Sequence, residues 1–479
     1  MLTRRTFVSV AALAGARMWT GASADTPAPA NAVLRGSTGV IAHIPADFSG
    51  LSYEITQLYN PAFFSANNTQ LVDAFRQLSA NGVLRVGGNL SDVSRWKSDA
   101  GDFATPKQTA AIEHGKTYWE WKLTDVWVRE HRDAAITPEA VRALRTFLDA
   151  TNWRLIYGLN FGSGSAERAA DEAGCVAQEM GDRLMAFQIG NEADFFGGNR
   201  FYREPPFGFA EYAKGYAEFV AAIRGRVPNA KFAGPDTATN MEWVDEYAKG
   251  RREEGAVLLS SHYYAMGPAK DPAMNAERLL GPSVGLEKQI AAAGRAVADS
   301  GGLGFRMTEG NSCFGGGKPG VSDALASALW AMDYMLYVAS KGYVGVNLHG
   351  GGDGYYTPIE TLDAKVATPR PEYWGMQLAN RFAGFELLQC ELETSANVTA
   401  FLGRGDKAVQ VAMINKGAAA VRVKLADGLP EGKPREVLVL SGPSLAATTG
   451  VGVRAIEARG GSAVLAPYSA QLWCWEANR

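Results

Sequence analysis

Short apolar runs followed by stretches of helical periodicity recur along the middle of the chain, and this alternation gives the first structural expectation. Eight runs read as strands: Phe48 to Glu54, Val83 to Gly87, Leu155 to Asn160, Ala186 to Glu192, Lys231 to Asp236, Val257 to Tyr264, Phe305 to Glu309 and Val344 to His349. The intervening helices carry their own punctuation. Thr137 is placed to cap a helix with Pro138 at its first position, and Asn81-Gly82 stops the helix that begins near Leu71. Strands and helices alternating in this way predict a parallel (β/α)8 barrel.

Past the segment from Pro371 to Phe385 the pattern changes to extended runs, Ala408 to Ile414, Val421 to Leu425 and Glu436 to Leu440, separated by Gly, Asp, Lys and Pro. That is the pattern of an antiparallel β-sandwich. The run from Ala32 to Ile44 also reads as extended, and it is free to return and pair with the sandwich. The expected division is therefore an export signal at 1–24, a linker and strand at 25–45, the barrel at 46–385 and the sandwich at 386–479.

The first segment reads as a signal because Thr3-Arg4-Arg5-Thr6-Phe7 precedes an apolar stretch from Val8 to Gly15 and a cleavage pattern at Ala22-Ser23-Ala24. The paired arginines suit a twin-arginine route, in which the chain crosses the membrane already folded. A membrane anchor would need about 20 uncharged apolar residues. Arg17 interrupts the run too early for that, so no stable membrane insertion and an exported, periplasmic or secreted location are expected.

With 479 residues, the chain holds a barrel and a second module, and 47% hydrophobic and 20% charged residues with 54 glycines describe a loop-rich globular enzyme. The net charge of −3, falling to −6 once three arginines leave with the signal, argues against a nucleic-acid partner. Cys175, Cys313, Cys390 and Cys474 show neither Cys-x-x-Cys spacing nor an attendant histidine cluster, so no metal and no cofactor are expected. In an exported protein Cys390 and Cys474 could pair within the C-terminal module.

Glu192 and Glu309 then stand out, because each falls at the C-terminal end of an expected barrel strand, the fourth and the seventh. Active sites of such barrels open at that end. Two carboxylates facing one sugar suit a double displacement: one attacks the anomeric carbon, while the other protonates the leaving oxygen and later activates water. Taken alone, Asn191-Glu192 reads equally as a solvated turn after a strand. The partner carboxylate on the strand across the barrel mouth favours chemistry.

Gly190-Asn191-Glu192 and Thr308-Glu309 resemble the retaining (β/α)8 glycosidases. Within that class, Arg85-Val86-Gly87-Gly88-Asn89, Ser261-His262-Tyr263-Tyr264, the glycines at 315–317 and the run from His349 to Tyr356 most resemble glycoside hydrolase family 79, the β-glucuronidases and heparanases. The resemblance extends over essentially the whole chain past the signal. It implies Glu192 as general acid/base and Glu309 as nucleophile, with Asn191 bonded to the sugar 2-hydroxyl and Glu54 and Asn89 on other sugar hydroxyls. Glu54 stands where a relative can carry Asp. The glucuronate carboxylate would lie on the backbone at Gly315 and Gly316 and on the Tyr356 hydroxyl, where glycine permits close approach of an anion. Among the bland alternatives, Gly315 to Gly317 can be a simple flexible turn, and His262 can be a satisfied core histidine instead of a substrate contact.

Between Gly88 and Thr137 lies an insertion far longer than usual β/α loops, carrying Trp96, His114, Tyr118, Trp119, Trp121 and Trp127. Folded over the pocket, it would close the site around one terminal sugar, favouring an exo-acting β-glucuronidase on a glucuronide or a glucuronic-acid-containing oligosaccharide. The alternative, packing by its own aromatics, is the ordinary fate of such a loop. An endo-acting, heparanase-like enzyme would want a strongly basic cleft, and no Lys/Arg cluster foreshadows one. A carbohydrate-binding protein on an inactive barrel has no need of both glutamates.

Overall fold

Eight parallel strands close into a barrel: β2 (Ser49–Glu54), β3 (Val83–Gly87), β4 (Arg154–Leu159), β5 (Leu184–Ile189), β6 (Phe232–Thr237), β7 (Ala256–Met266), β8 (Gly304–Cys313) and β9 (Gly345–Gly350). The computed structural model describes residues 30–103 and 134–477 except 198–201, 204, 251, 253, 352–353, 363–364 and 458–459. The expected export signal, and His114, Tyr118, Trp119, Trp121 and Trp127 of the long insertion, lie outside the described residues. Among the described residues, no helix is long and apolar enough to cross a membrane.

All eight barrel strands fall where the apolar runs predicted them, and their ends shift. β8 does not stop at Glu309; it continues to Cys313, because Gly310, Asn311 and Cys313 go on pairing with Tyr263, Tyr264 and Met266 of the neighbouring strand. β5, by contrast, ends at Ile189 and leaves Glu192 beyond it, after Gly190 has turned the chain with φ +82°. Around the barrel the helices bind as their caps dictate. Thr137 Oγ1 accepts from Ala140 N at 3.3 Å and starts the helix Pro138–Thr151. The helix Thr69–Leu78 ends three residues before Asn81-Gly82.

The second module is a nine-stranded sheet built from β1 (Ala30–His43) and β10 (Glu386–Glu393), β11 (Val398–Arg404), β12 (Ala408–Asn415), β13 (Val421–Leu425), β14 (Glu436–Ser441), β15 (Gly452–Ile456), β16 (Ser462–Leu465) and β17 (Ser469–Glu476). β1 lies between β10 and β13, antiparallel to the first and parallel to the second. The other pairings are antiparallel, and the sheet curls over a core of its own that includes Leu34, Val411, Val423, Val439, Trp473 and Trp475, giving a sandwich-like module. All four cysteines are free, Cys390 and Cys474 included. Trp96, the one aromatic of the insertion named above that is described, is fully buried and donates to Asp171 Oδ2 at 2.8 Å, so it is a core residue and no platform for a sugar.

Two helices on the outer ring, Leu325–Ser340 and Pro371–Asn380, approach so closely at Gly375 that a Cβ there would sit 1.9 Å from the carbonyl oxygen of Ala328. Helix propensity alone favours Ala over Gly by about 1 kcal/mol. Overpacking of this kind costs about 1–3 kcal/mol and outweighs that gain. Gly375→Ala is therefore expected to lower the urea midpoint, and an unchanged or raised midpoint would show that the helices separate freely.

Candidate active site

A barrel of parallel strands ordinarily fills its interior with layers of branched aliphatic side chains. Here much of the interior is polar. Near the N-terminal end Arg306 Nε donates to Asn347 Oδ1 at 2.7 Å, and Asn347 Nδ2 donates to the carbonyl oxygens of Leu51 and Val83 at 3.0 and 2.8 Å. Toward the other end, Arg85 of β3 is fully buried and fans out to five side chains. Its Nε donates to Gln188 Oε1 at 2.9 Å, Nη1 to Ser52 Oγ at 3.1 Å and Glu309 Oε2 at 2.7 Å, and Nη2 to Asn191 Oδ1 at 2.7 Å and Asp236 Oδ2 at 2.6 Å. Strands β2, β3, β5, β6 and β8 are thereby tied to one guanidinium.

Glu309 is 3% exposed, and Tyr264 of β7 donates to its second oxygen at 2.9 Å. Burial alone would raise its carboxyl, but His349, His262 and Arg85 nearby, with the Tyr264 hydroxyl, hold it well below the usual carboxylate range. It is held as an anion. His349 Nδ1 lies 3.9 Å from Glu309 Oε2 and 3.2 Å from Ser52 Oγ.

Glu192 sits in the left-handed region, φ 52° and ψ 49°, where a non-glycine residue is uncommon and held by its surroundings. Its backbone N–H donates to the Asp236 carbonyl at 2.8 Å, and its Oε1 lies 2.8 Å from His262 Nδ1. The other ring nitrogen of His262 is 3.2 Å from Asp236 Oδ2. Burial would depress a histidine here, yet the negative charges of Asp236 and Glu309, the close Asp236 carboxylate and the hydrogen bond to Glu192 raise it to about 10. His262 is thus a cation at neutral pH, 2% exposed, and its ring nitrogens face carboxylates. Asp236, itself in the left-handed region at φ 61°, overcomes its burial through Arg85 and His262 and stays ionised far below the usual range.

One oxygen of Glu192, one of Glu309 and a ring nitrogen of His262 all lie within 4.8 Å of one another. Such a trio could in principle ligate a cation. With His262 protonated and Arg85 already on Glu309, the cluster carries its own positive charges and disfavours a further one.

The remaining expected residues gather around this centre. Asn191 Nδ2 donates to Asn89 Oδ1 at 2.9 Å, and the Asn191 backbone N–H donates to Asp92 Oδ2 at 3.0 Å. Glu54 Oε2 accepts from Leu90 N at 2.8 Å. Tyr356 sets its ring 6.2 Å from that of Tyr264, tilted by 42°, and 5.8 Å from that of His349, which it meets edge to face. Gly315, Gly316 and Gly317 run through φ values of 85°, 90° and 87°, and Gly316 O accepts from Tyr355 N at 2.6 Å, so this loop lies beside Tyr356. Nothing stands within 4 Å of where a Cβ of Gly316 would be.

The sequence shows Arg85 and Tyr264 only as parts of motifs and Asp236 only as the last residue of an expected strand. A signal existed for two of them. A strand covered by helices on one side and barrel on the other has no solvated face, so Arg85 within Val-Leu-Arg-Val-Gly and Asp236 within Phe-Ala-Gly-Pro-Asp each required a buried partner.

The fold is a (β/α)8 barrel with a sandwich-like module, and comparisons with known proteins support a glycosidase. No family's sequence profile matches it. A β-glucuronidase of Aspergillus niger is 24% identical over 401 residues, 77% of this chain and 69% of that protein. A β-glucuronidase of Neurospora crassa is 25% identical over 263 residues, 48% of this chain and 47% of that one. Among solved structures, a 4-O-α-L-rhamnosyl-β-D-glucuronidase from Fusarium oxysporum superposes with a TM-score of 0.68 at 15% identity, over 92% of this chain and 99% of that one. An arabinofuranosidase of family GH51 from Xanthomonas axonopodis gives 0.66 at 15% identity, over 93% and 99%. These structural likenesses establish the shared fold.

The raised His262 carries a stability consequence whose sign is fixed. A group protonated more readily folded than unfolded contributes fully below its unfolded value and loses that contribution as pH rises to its folded one. Unfolding free energy, measured by urea titration at successive pH values, is expected to decline from about pH 6.5 to about pH 10. His262→Gln should flatten that decline. An equal slope in both proteins would mean that His262 is neutral in the fold.

Proposed function

We propose that this protein is a retaining, exo-acting β-glucuronidase in which Glu309 is the nucleophile and Glu192 the general acid/base. The observation that carries the mechanism is the separation of the two carboxylates, whose nearer oxygens lie within 4.8 Å. Retention uses carboxyl groups about 5–5.5 Å apart, whereas inversion needs about 6.5–9.5 Å to admit a water between them. The environments divide the roles in the same sense. Glu309, fixed by Arg85 and Tyr264, is committed to the anion, while Glu192 stands just past the strand end with its carboxylate against the His262 imidazole.

In the first step Glu309 attacks the anomeric carbon as Glu192 protonates the departing oxygen, leaving a glycosyl ester. In the second, Glu192 takes a proton from water, which attacks the same carbon and frees Glu309. Asn191, buried and held by Arg85 and Asn89 beside Glu309 and Glu192, is the residue assigned to the sugar 2-hydroxyl. The glucuronate specificity is supported by the two β-glucuronidase relatives and by the open glycine backbone at 315–316 beside Tyr356, a surface an anionic carboxylate can approach without a side chain in its way. The exo reading rests on the length of the insertion between Gly88 and Thr137, which follows the C-terminal end of β3 in the sequence.

The mature protein should release the aglycone from an aryl β-glucuronide much faster than from the matching β-glucoside and leave heparan sulfate unshortened. Shortening of the polymer would replace exo with endo action, and equal rates on the two glycosides would sink the carboxylate site. Glu309→Ala should abolish turnover. Glu192→Ala should lose at least about 100-fold on a poor leaving group and far less on an activated phenol, which departs without a proton. Equal losses on both would remove Glu192 from the acid role.

A further inference from the structure

Asp236 touches both halves of the proposed machinery without standing at the sugar. Its Oδ2 takes the Arg85 Nη2 donor at 2.6 Å and lies 3.2 Å from His262 Nε2, and its Oδ1 accepts from Gln188 Nε2 at 2.6 Å and from the Thr308 hydroxyl. Its backbone carbonyl holds Glu192 N at 2.8 Å, and the residue adopts φ 61° to make both sets of contacts. At 1% exposure, this is a buried anion with four side-chain partners, two of them cationic. A buried carboxylate persists ionised only where it is paired and hydrogen-bonded in this way.

We propose that Asp236 is a positioning residue that holds His262 as a cation against Glu192 and Arg85 against Glu309, and so sets the pH range over which Glu192 keeps its proton. The proposal rests on Glu192 being the acid/base. The charged groups facing His262 are Glu192 after β5, Asp236 on β6 and Glu309 on β8, with Arg85 of β3 shared between Asp236 and Glu309, while Asp194 and the Tyr264 hydroxyl also act on Glu192. From the helix Val284–Asp299 the neutral Gln289 donates to the His262 carbonyl at 2.8 Å. Without the Asp236 charge the imidazole loses its main reason to be protonated. Glu192 then loses the cation at 2.8 Å that favours its ionised form, and holds its proton to higher pH.

Two readouts test this. The first needs no activity: nitrogen-15 spectra of histidine-labelled protein, with the His262 signal identified by its loss in His262→Gln, should show a doubly protonated ring at pH 8 in the wild type and a neutral ring in Asp236→Asn. The second is the pH profile of kcat/KM on whichever aryl glycoside the wild type cleaves. In Asp236→Asn the alkaline limb should move up by about one pH unit, with kcat down roughly 100-fold and KM little changed. A neutral His262 in the wild type, a cationic one in the variant, or an unmoved limb overturns the proposal. Should Asp236→Asn fail to fold, the wild-type ring decides alone, and His262→Gln must reproduce the shifted limb. A wild type inactive on every glycoside would instead defeat the functional reading, while the spectra still judge the charge of His262.

Discussion

The structure turns on a guanidinium placed where water cannot reach it. Arg85 is fully buried, and such a charge is tolerable only if anions and acceptors surround it closely. Glu309 and Asp236 supply the anions, and Ser52, Gln188 and Asn191 the acceptors, drawn from four other strands. Desolvation therefore does the work of alignment: a strand slipped by one residue would strand a charge, so the register of the barrel and the geometry of the site are fixed by one requirement.

Strain accumulates at the next remove. Both Glu192 and Asp236 occupy left-handed backbone, and they are joined, since the N–H of the first donates to the carbonyl of the second at 2.8 Å. Each such residue costs about 1–3 kcal/mol. What over-determines the conformation is the polar network beneath, because the side chain of Asp236 must face Arg85 and His262 while its backbone faces Glu192. The local distortion is the way in which a chain leaving strands β5 and β6 keeps three groups aimed at one point.

Much of this was legible beforehand. The eight strands, their alternation with helices and the change of pattern after residue 385 follow from hydrophobic period, which is a property of the chain alone, and the strand ordinals of Glu192 and Glu309 follow by counting. Strand ends were less visible: nothing local distinguishes Glu309 as an interior residue of β8, since its continuation depends on pairing with Tyr263, Tyr264 and Met266 of another strand. The Asp236–His262–Glu192 chain was hidden for the same reason. Its members are 70 residues apart at the extremes, and sequence shows a polar residue in a strand without showing which other strand completes it. Trp96 misleads in the opposite direction, since an aromatic in a long loop looks available until Asp171 is found against its indole.

The charge pattern also bears on how one glutamate could serve as acid and then as base. Before reaction the two cations Arg85 and His262 are matched by the two anions Asp236 and Glu309. If Glu309 forms an ester with the sugar, its negative charge disappears while the two cations and Asp236 remain, and the cluster gains one positive unit. A net positive cavity in a site of low dielectric favours the ionised form of the carboxylate still able to change, which is Glu192. On the proposed mechanism, chemistry at Glu309 thus converts Glu192 from a group that gives a proton into one that takes it, with no movement of either residue. The condition is that His262 stays charged through both steps, which makes the buried Asp236 behind it part of the cycle even though it never meets the substrate.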